Sequence, residues 1–284
     1  MSSQMTVAQA LHQARASGVD RLDAQLILAG LLAGRRSWLV AHDDAVLTPH
    51  QAEAMRTLCA RRTAGEPLAY LLGEHEFHGL ALKVDSNVLV PRPETELLVD
   101  WAIELLAGLL AAPVTSAMAT RPRVVDLGTG SGAIALAVKR AHPAATLLAT
   151  DCSPAALNVA RANAARHSLD IEFVLSSWWG GLAARRFELV LANPPYIAAG
   201  DPHLPALRHE PLMALTSGAD GLTALQEIIG TARDHLAPGG WLLLEHGYDQ
   251  AEAVRDLLRR YGFNEIRTRI DIGGQPRCTG ARGG

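Results

Sequence analysis

The residues of this chain best suited to chemistry stand four in a row, Asn193-Pro194-Pro195-Tyr196. Asn193 offers a side-chain carbonyl, and the Pro194 carbonyl has no local N–H partner because Pro195 carries none. Two acceptors side by side can hold both hydrogens of one planar NH2 group. Tyr196 adds an aromatic face against which a planar group can stack. The competing reading is a rigid proline turn that closes a strand, with Asn193 satisfying backbone groups.

A second candidate is the turn Gly128-Thr129-Gly130-Ser131-Gly132, whose glycines let the backbone bend sharply and approach a ligand beside a helix N-terminus. Alone it also fits a dinucleotide fingerprint. Asp151, at the end of the next strand, would accept hydrogen bonds from a ribose diol in either case, so the ligand read from these residues is a nucleoside. The sulfonium methyl donor S-adenosylmethionine needs no phosphate cradle, and it gives the tetrapeptide a purpose that a dehydrogenase does not. Trp178 and Trp179 follow the third strand, and position alone leaves open which packs against an adenine and which lies in the core.

These residues need a parallel sheet to bring them together. The run 187–192 is apolar and stops at the prolines, as a buried parallel strand does, so the tetrapeptide sits at a strand's carboxyl end, where open α/β sheets bind ligands. From Arg123 onward strands at 124–127, 146–150, 171–175, 187–192 and 241–245 alternate with helices at 133–140, 154–167, 222–236 and 250–261. Segments 264–270 and 276–279 read as a terminal antiparallel pair. Alternation of this kind implies helices on both faces of the sheet.

Residues 1–73 read as helical throughout. Leu22, Leu26, Ile27 and Leu28 mark one helix between Asp20 and Gly34. Thr48, Pro49 and Gln51 supply an N-cap, a first-turn proline and a capping box, with Gly65 past the last turn. Alternating apolar residues from Phe77 to Val90 around Asp85-Ser86-Asn87 predict a β-hairpin. An amphipathic helix is expected after Pro91-Arg92-Pro93-Glu94-Thr95-Glu96, running to about Leu110, and a loop over 111–122.

At 284 residues the chain accommodates one large α/β domain and a smaller unit. With 49% hydrophobic and 19% charged residues it reads as soluble and globular. No run matches a membrane span and Met1-Ser2-Ser3-Gln4 lacks a signal-peptide pattern, so a cytoplasmic protein is expected. Cys59, Cys152 and Cys278 are far apart and read as reduced thiols, and the histidines of His75-Glu76-Phe77-His78 are spaced wrongly for a helical zinc motif. A net charge of −3 gives no basic field for a polyphosphate backbone.

The segments Val124 to Gly132, Asp151 and Asn193 to Tyr196 together resemble a class I S-adenosylmethionine-dependent methyltransferase acting on a planar NH2. Flanking text narrows the resemblance: residues 65–73, Glu76-Phe77, Pro91 to Glu96, His209-Glu210-Pro211 and Asp220-Gly221-Leu222 are similar to the HemK or PrmC family, which methylates glutamine in peptide chain release factors. The resemblance spans about residues 65–282. It implies a Rossmann-like, mostly parallel seven-stranded sheet in an α/β methyltransferase domain over 94–284, a helical substrate-recognition domain over 1–73 and a hairpin linker over 74–93. It further implies S-adenosyl-L-methionine bound by Gly128, Thr129, Gly130, Ser131, Gly132, Asp151, Trp178 and Asn193, leaving S-adenosyl-L-homocysteine as product. The substrate glutamine would lie against Asn193, Pro194, Pro195 and Tyr196, with Asn193, Pro194 and Tyr196 as the catalytic set. Ser177 stands where the family commonly has an acidic residue before the tryptophan.

The implied reaction is methyl transfer to N5 of the glutamine in the Gly-Gly-Gln motif of class 1 release factors, by a monomer without membrane or direct nucleic-acid partners. An amide nitrogen is a poor nucleophile. Two acceptors on its hydrogens aim its remaining electron density at the methyl, and no strong general base is required before transfer. Arg92 and Glu94 read either as site residues or as a helix-start salt bridge. Gly273-Gly274-Gln275 reads as a turn between the last two strands, without self-methylation. A DNA or RNA amino-group methyltransferase would use the same tetrapeptide on a flipped base, while a non-enzymatic binding module predicts loss of the glycines, Asp151 or Asn193, all of which are present.

Overall fold

The computed structural model describes residues 5–111 and 121–284, so most of the loop expected over 111–122 lies outside the described residues. The chain divides into two compact units, Met1–Glu74 and His75–Gly284.

The first unit holds α1 (Val7–Ala16), α2 (Arg21–Leu31), α3 (Arg36–Ala41), α4 (Pro49–Thr63) and α5 (Leu68–Leu72). Its core is Val7, Ala24, Ile27, Leu28, Leu39 and Met55. Asp20 caps α2 by accepting the Leu22 N–H at 2.7 Å. At α4 the capping box forms as the spacing predicts: Gln51 N–H donates to Thr48 Oγ1 at 3.2 Å, and Thr48 N–H to Gln51 Oε1 at 2.9 Å.

At the unit boundary β1 (Glu74–Phe77) and β2 (Leu80–Lys83) form a two-stranded hairpin. This corrects the expected turn at 85–87. The bend falls at His78-Gly79, both with positive φ (48° and 72°), the backbone of a tight two-residue hairpin turn. Val88 and Val90 are buried, which explains the alternation, but they belong to no strand.

Next come a 3-10 turn, Pro93–Thr95, and α6 (Glu96–Ala111), then β3 (Arg123–Leu127), α7 (Ala133–Ala141), β4 (Thr146–Asp151), α8 (Pro154–Arg166), β5 (Glu172–Leu175) and β6 (Phe187–Ala192). After a long loop follow α9 (Thr223–His235), β7 (Leu236–Glu245), α10 (Ala251–Arg260), β8 (Asn264–Ile270) and β9 (Pro276–Arg282). The seven strands are ordered β5-β4-β3-β6-β7-β9-β8. Those from β5 to β7 are parallel, and β9 is antiparallel to both neighbours. β7 starts five residues before Trp241 because Leu236 already pairs with Phe187, and Ala237 to Gly240 bulge out before the register resumes at Leu189↔Trp241.

Alternate residues of each central strand feed two cores. Val124, Leu189, Leu191 and Leu243 face Leu98, Trp101 and Leu136 on one side. Val125, Val190, Leu242 and Leu244 face Leu225, Ile228 and Val254 on the other. Strands buried on both faces must be nearly all apolar, as these are. The chain runs from β3 outward through β4 and β5, then returns to β6 on β3's other side. The strand order therefore reverses between β3 and β6, which places the ligand crevice at their carboxyl ends. No described helix is long and apolar enough to cross a membrane. Gly273-Gly274-Gln275 lies in the turn between β8 and β9, closed by Gln275 N–H on Asp271 Oδ1 at 2.9 Å.

Candidate active site

β3 ends at Leu127, and the chain turns at once into α7. Gly128 and Thr129 N–H groups both donate to the Thr150 carbonyl of β4, at 2.9 and 2.8 Å, which fixes the turn against the neighbouring strand. Gly132 has φ +86°, and a Cβ there would lie 2.9 Å from Leu136 and 3.3 Å from Ala160, so the absent side chain lets α7 and α8 close on the turn. Beneath it Asp126 is fully buried and accepts the Thr129 hydroxyl at 2.6 Å; burial pushes its pKa up to about 7.

Asp151 closes β4. Its Oδ2 accepts the Gly130 N–H and its Oδ1 the Ser153 N–H, both at 2.9 Å. Burial pushes its pKa up, against those two hydrogen bonds. Each oxygen keeps lone-pair capacity for a further donor. The carboxylate is thus oriented by the turn while still able to accept.

One cavity is lined by Gly128, Thr129, Gly130, Ser131, Asp151, Trp178, Asn193 and Pro195, closed by Pro211, Met213 and Ala214 of the long loop. Gly132, Pro194 and Tyr196 adjoin it and are not on its wall. The two tryptophans separate. Trp178, at φ +44°, turns its ring over Gly128 and donates Nε1–H to Glu227 Oε2 at 2.9 Å. Trp179 is buried, donates to the Ile228 carbonyl at 3.1 Å and stacks on His235 with ring centroids 4.6 Å apart. Ser177 is exposed and off the cavity wall.

At the end of β6 the Asn193 amide donates from Nδ2 to Thr95 Oγ1 at 3.1 Å. Among the described residues no donor engages Asn193 Oδ1, whose residue lines the cavity, or the carbonyl of Pro194, which is buried next to it and off the cavity wall. Tyr196 is held from behind. Its hydroxyl donates to Glu245 Oε1 at 3.4 Å, and its carbonyl accepts Gln250 Nε2–H at 3.0 Å. Burial and the Glu245 charge raise the phenol's pKa, so it stays protonated. Gly221 (φ +75°) packs so tightly on the Tyr196 carbonyl that any Cβ would overlap it, which returns the long loop to the tetrapeptide.

Of the two readings open for Arg92 and Glu94, the helix-start salt bridge does not form: Arg92 pairs instead with Glu210 at 2.5 Å, and the buried Glu210 carboxylate from the long loop takes both this guanidinium and the Val90 N–H at 3.1 Å. Arg92 also lines the cavity. Sequence reading missed Thr95, Glu245 and Glu227. Glu245 carried a signal, being the one charge ending the otherwise apolar run Trp241-Leu242-Leu243-Leu244.

A crevice at the strand-order reversal, with a glycine turn and a strand-end carboxylate, matches known proteins in sequence. Residues 5–73 match the PrmC N-terminal domain, and residues 97–209 the methyltransferase small domain. A release factor glutamine methyltransferase of Bordetella pertussis is 47% identical over 93% of this chain and 95% of its own length. The protein of that name in Coxiella burnetii is 44% identical over 94% of each. The chain belongs to the release factor glutamine methyltransferase family. A member from Escherichia coli K12 is 38% identical over 98% of both chains. Solved structures agree with the methyltransferase fold: the hMettl16 catalytic domain superposes with a TM-score of 0.57 at 16% identity, covering 84% of this chain and 83% of that one. The T. thermophilus 16S rRNA methyltransferase RsmC, solved with AdoMet and guanosine, gives 0.54 at 19% identity over 74% of this chain and 50% of that one.

Proposed function

We propose that this methyltransferase transfers a methyl group from S-adenosylmethionine to the side-chain amide N5 of the glutamine in the Gly-Gly-Gln motif of class 1 release factors. The observation that carries the reading is the pair of adjacent acceptors without a donor, Asn193 Oδ1 of a cavity-lining residue and the carbonyl of Pro194 beside it. Both point to a substrate that offers two hydrogens on one nitrogen.

The crevice suits this cofactor. Asp151 keeps acceptor capacity for a ribose diol, and Trp178 offers an aromatic wall for a purine. The Gly128 to Ser131 backbone lines the space between them. When bound there, S-adenosylmethionine supplies a methyl activated on a sulfonium. The chain's own part is positional. Asn193 and Pro194 accept the two amide hydrogens and hold the nitrogen's remaining electron density toward the crevice, and they stabilise the positive charge that develops on it. Met213, Pro211 and Ala214 line the cavity from the long loop. The proton leaves to water afterwards, so no side chain needs to act as base. Residues 1–73 would serve to recognise the release factor.

Incubation with labelled S-adenosylmethionine and, separately, an unmodified class 1 release factor or duplex DNA tests the reading. Label on the release factor supports it. Label on DNA alone would replace it by an amino-group nucleic-acid methyltransferase.

A further inference from the structure

Both adjacent tryptophans send their indole N–H to the same helix, α9, but to unlike acceptors. Trp179 Nε1–H donates to the Ile228 carbonyl at 3.1 Å, a backbone group that any residue at 228 supplies. Trp178 Nε1–H donates to Glu227 Oε2 at 2.9 Å, an acceptor that exists only because residue 227 carries that side chain. Leu225, Ile228, Ile229 and Ala232 turn the other face of α9 into the core, which leaves Glu227 exposed. Among the described residues Glu227 makes no other hydrogen bond or ion pair. Its side chain therefore serves little in the folding of α9, and what it holds is an aromatic wall of the cavity.

The backbone of Trp178 shows that this wall is built with care. A bulky residue at φ +44° is an outlier that persists only where its surroundings fix it, and such outliers gather at functional sites. Ser176, itself buried, fixes the main chain: its hydroxyl donates to the Trp178 carbonyl at 3.1 Å and accepts the Gly181 N–H at 2.8 Å. That leaves the rotation of the indole about its own side-chain bonds to be settled. The ring is half-buried at the margin of the core that Trp179 enters, with its six-membered edge over Gly128. The opposite, N–H edge is held by Glu227.

We infer that Glu227 is a positioning residue for the cofactor, which acts through its hydrogen bond to Trp178 Nε1 to fix the plane of the aromatic wall offered to the purine. Gly128 limits the ring from one edge and Glu227 from the other. Without the carboxylate, water takes the N–H and the ring can turn on its open side. The inference rests on the reading that the crevice takes S-adenosylmethionine.

Calorimetry of the full-length protein with S-adenosylmethionine tests this on Glu227→Ala, Glu227→Gln and Trp178→Phe, and on Trp178→Phe combined with Glu227→Ala. Glu227→Ala is expected to raise the Kd about fivefold, the scale of one hydrogen bond. In turnover it should raise the KM for S-adenosylmethionine while kcat stays within about twofold. Glu227→Gln keeps an acceptor and should restore the Kd to within about twofold of wild type. Phenylalanine has no N–H, so in the Trp178→Phe background Glu227→Ala should cost less than about twofold. The Nε1–H resonance of Trp178 should shift in Glu227→Ala while that of Trp179 stays in place. A Kd unchanged by Glu227→Ala, or raised equally in both backgrounds, would overturn the inference while leaving the reading of the crevice intact. A wild-type protein that binds no S-adenosylmethionine would overturn that reading and the inference with it, a result distinct from the first.

Discussion

The six-membered ring of the Trp178 indole lies over Gly128, so close that a Cβ on that glycine would stand 3.2 Å from the ring. Gly128 also has φ +75°, which an L side chain adopts only with strain of about 1–2 kcal/mol. Gly128→Ala is therefore expected to displace the indole and weaken S-adenosylmethionine binding by about tenfold, on the order of 1.4 kcal/mol. Isothermal titration calorimetry reads this, and an unchanged Kd would show that the ring does not depend on the glycine.

Adjacent tryptophans should fail in different assays. Trp178→Ala removes a wall of the cavity and should raise the cofactor Kd with little change in Tm. Trp179→Ala opens a hole in the core beside Ile228 and His235 and should cost about 3–5 kcal/mol of stability. Thermal denaturation and calorimetry on both variants separate the two, and a stability loss shared equally would contradict the division.

Asp126 makes stability depend on pH. Its folded-state pKa is raised from the ordinary 3.8 to about 7, so the folded protein holds a proton that the unfolded chain releases across that window. The folded state binds more protons there, and stability falls as pH rises through it. Asp126→Asn keeps an acceptor for Thr129 without the ionisation. The variant's Tm should gain on the wild type between pH 4 and pH 7 and hold its relative position above. Parallel Tm curves across that range would contradict the assignment.

Glu210 ties the long loop to the segment before α6 through Arg92 and the Val90 N–H. Its carboxylate is buried while Arg92 is about one-third exposed, so solvent screens part of the pair. Glu210→Ala should cost about 1–3 kcal/mol and speed proteolytic cleavage between residues 197 and 221. Limited proteolysis with mass mapping tests it, and cleavage unchanged in rate and site would mean the loop is held by other contacts.

The parallel core was legible because strands buried on both faces are written as unbroken apolar runs, and β3, β4 and β6 follow that rule. The hairpin was misplaced for a related reason. Val88 and Val90 are buried like strand residues, and the turn signal, His78-Gly79, is a pair that sequence reads weakly. Trp178 and Trp179 could not be told apart because a backbone reversal at φ +44° decides which ring enters the core. Glu245 and Thr95 escaped notice because their contacts, with Tyr196 and with Asn193, join segments that meet only after the sheet forms. By contrast, Asn193 stood out as a candidate in the tetrapeptide alone, since the chemistry of two adjacent acceptors is local, and the structure places it on the cavity wall.

The most direct measurement is turnover and cofactor affinity of Asn193→Ala on one preparation, with a class 1 release factor as acceptor. Loss of an acceptor that strengthens only as charge develops predicts a fall in kcat of about 10²–10³-fold with the Kd for S-adenosylmethionine within about threefold. Turnover within a factor of a few of wild type would contradict the account.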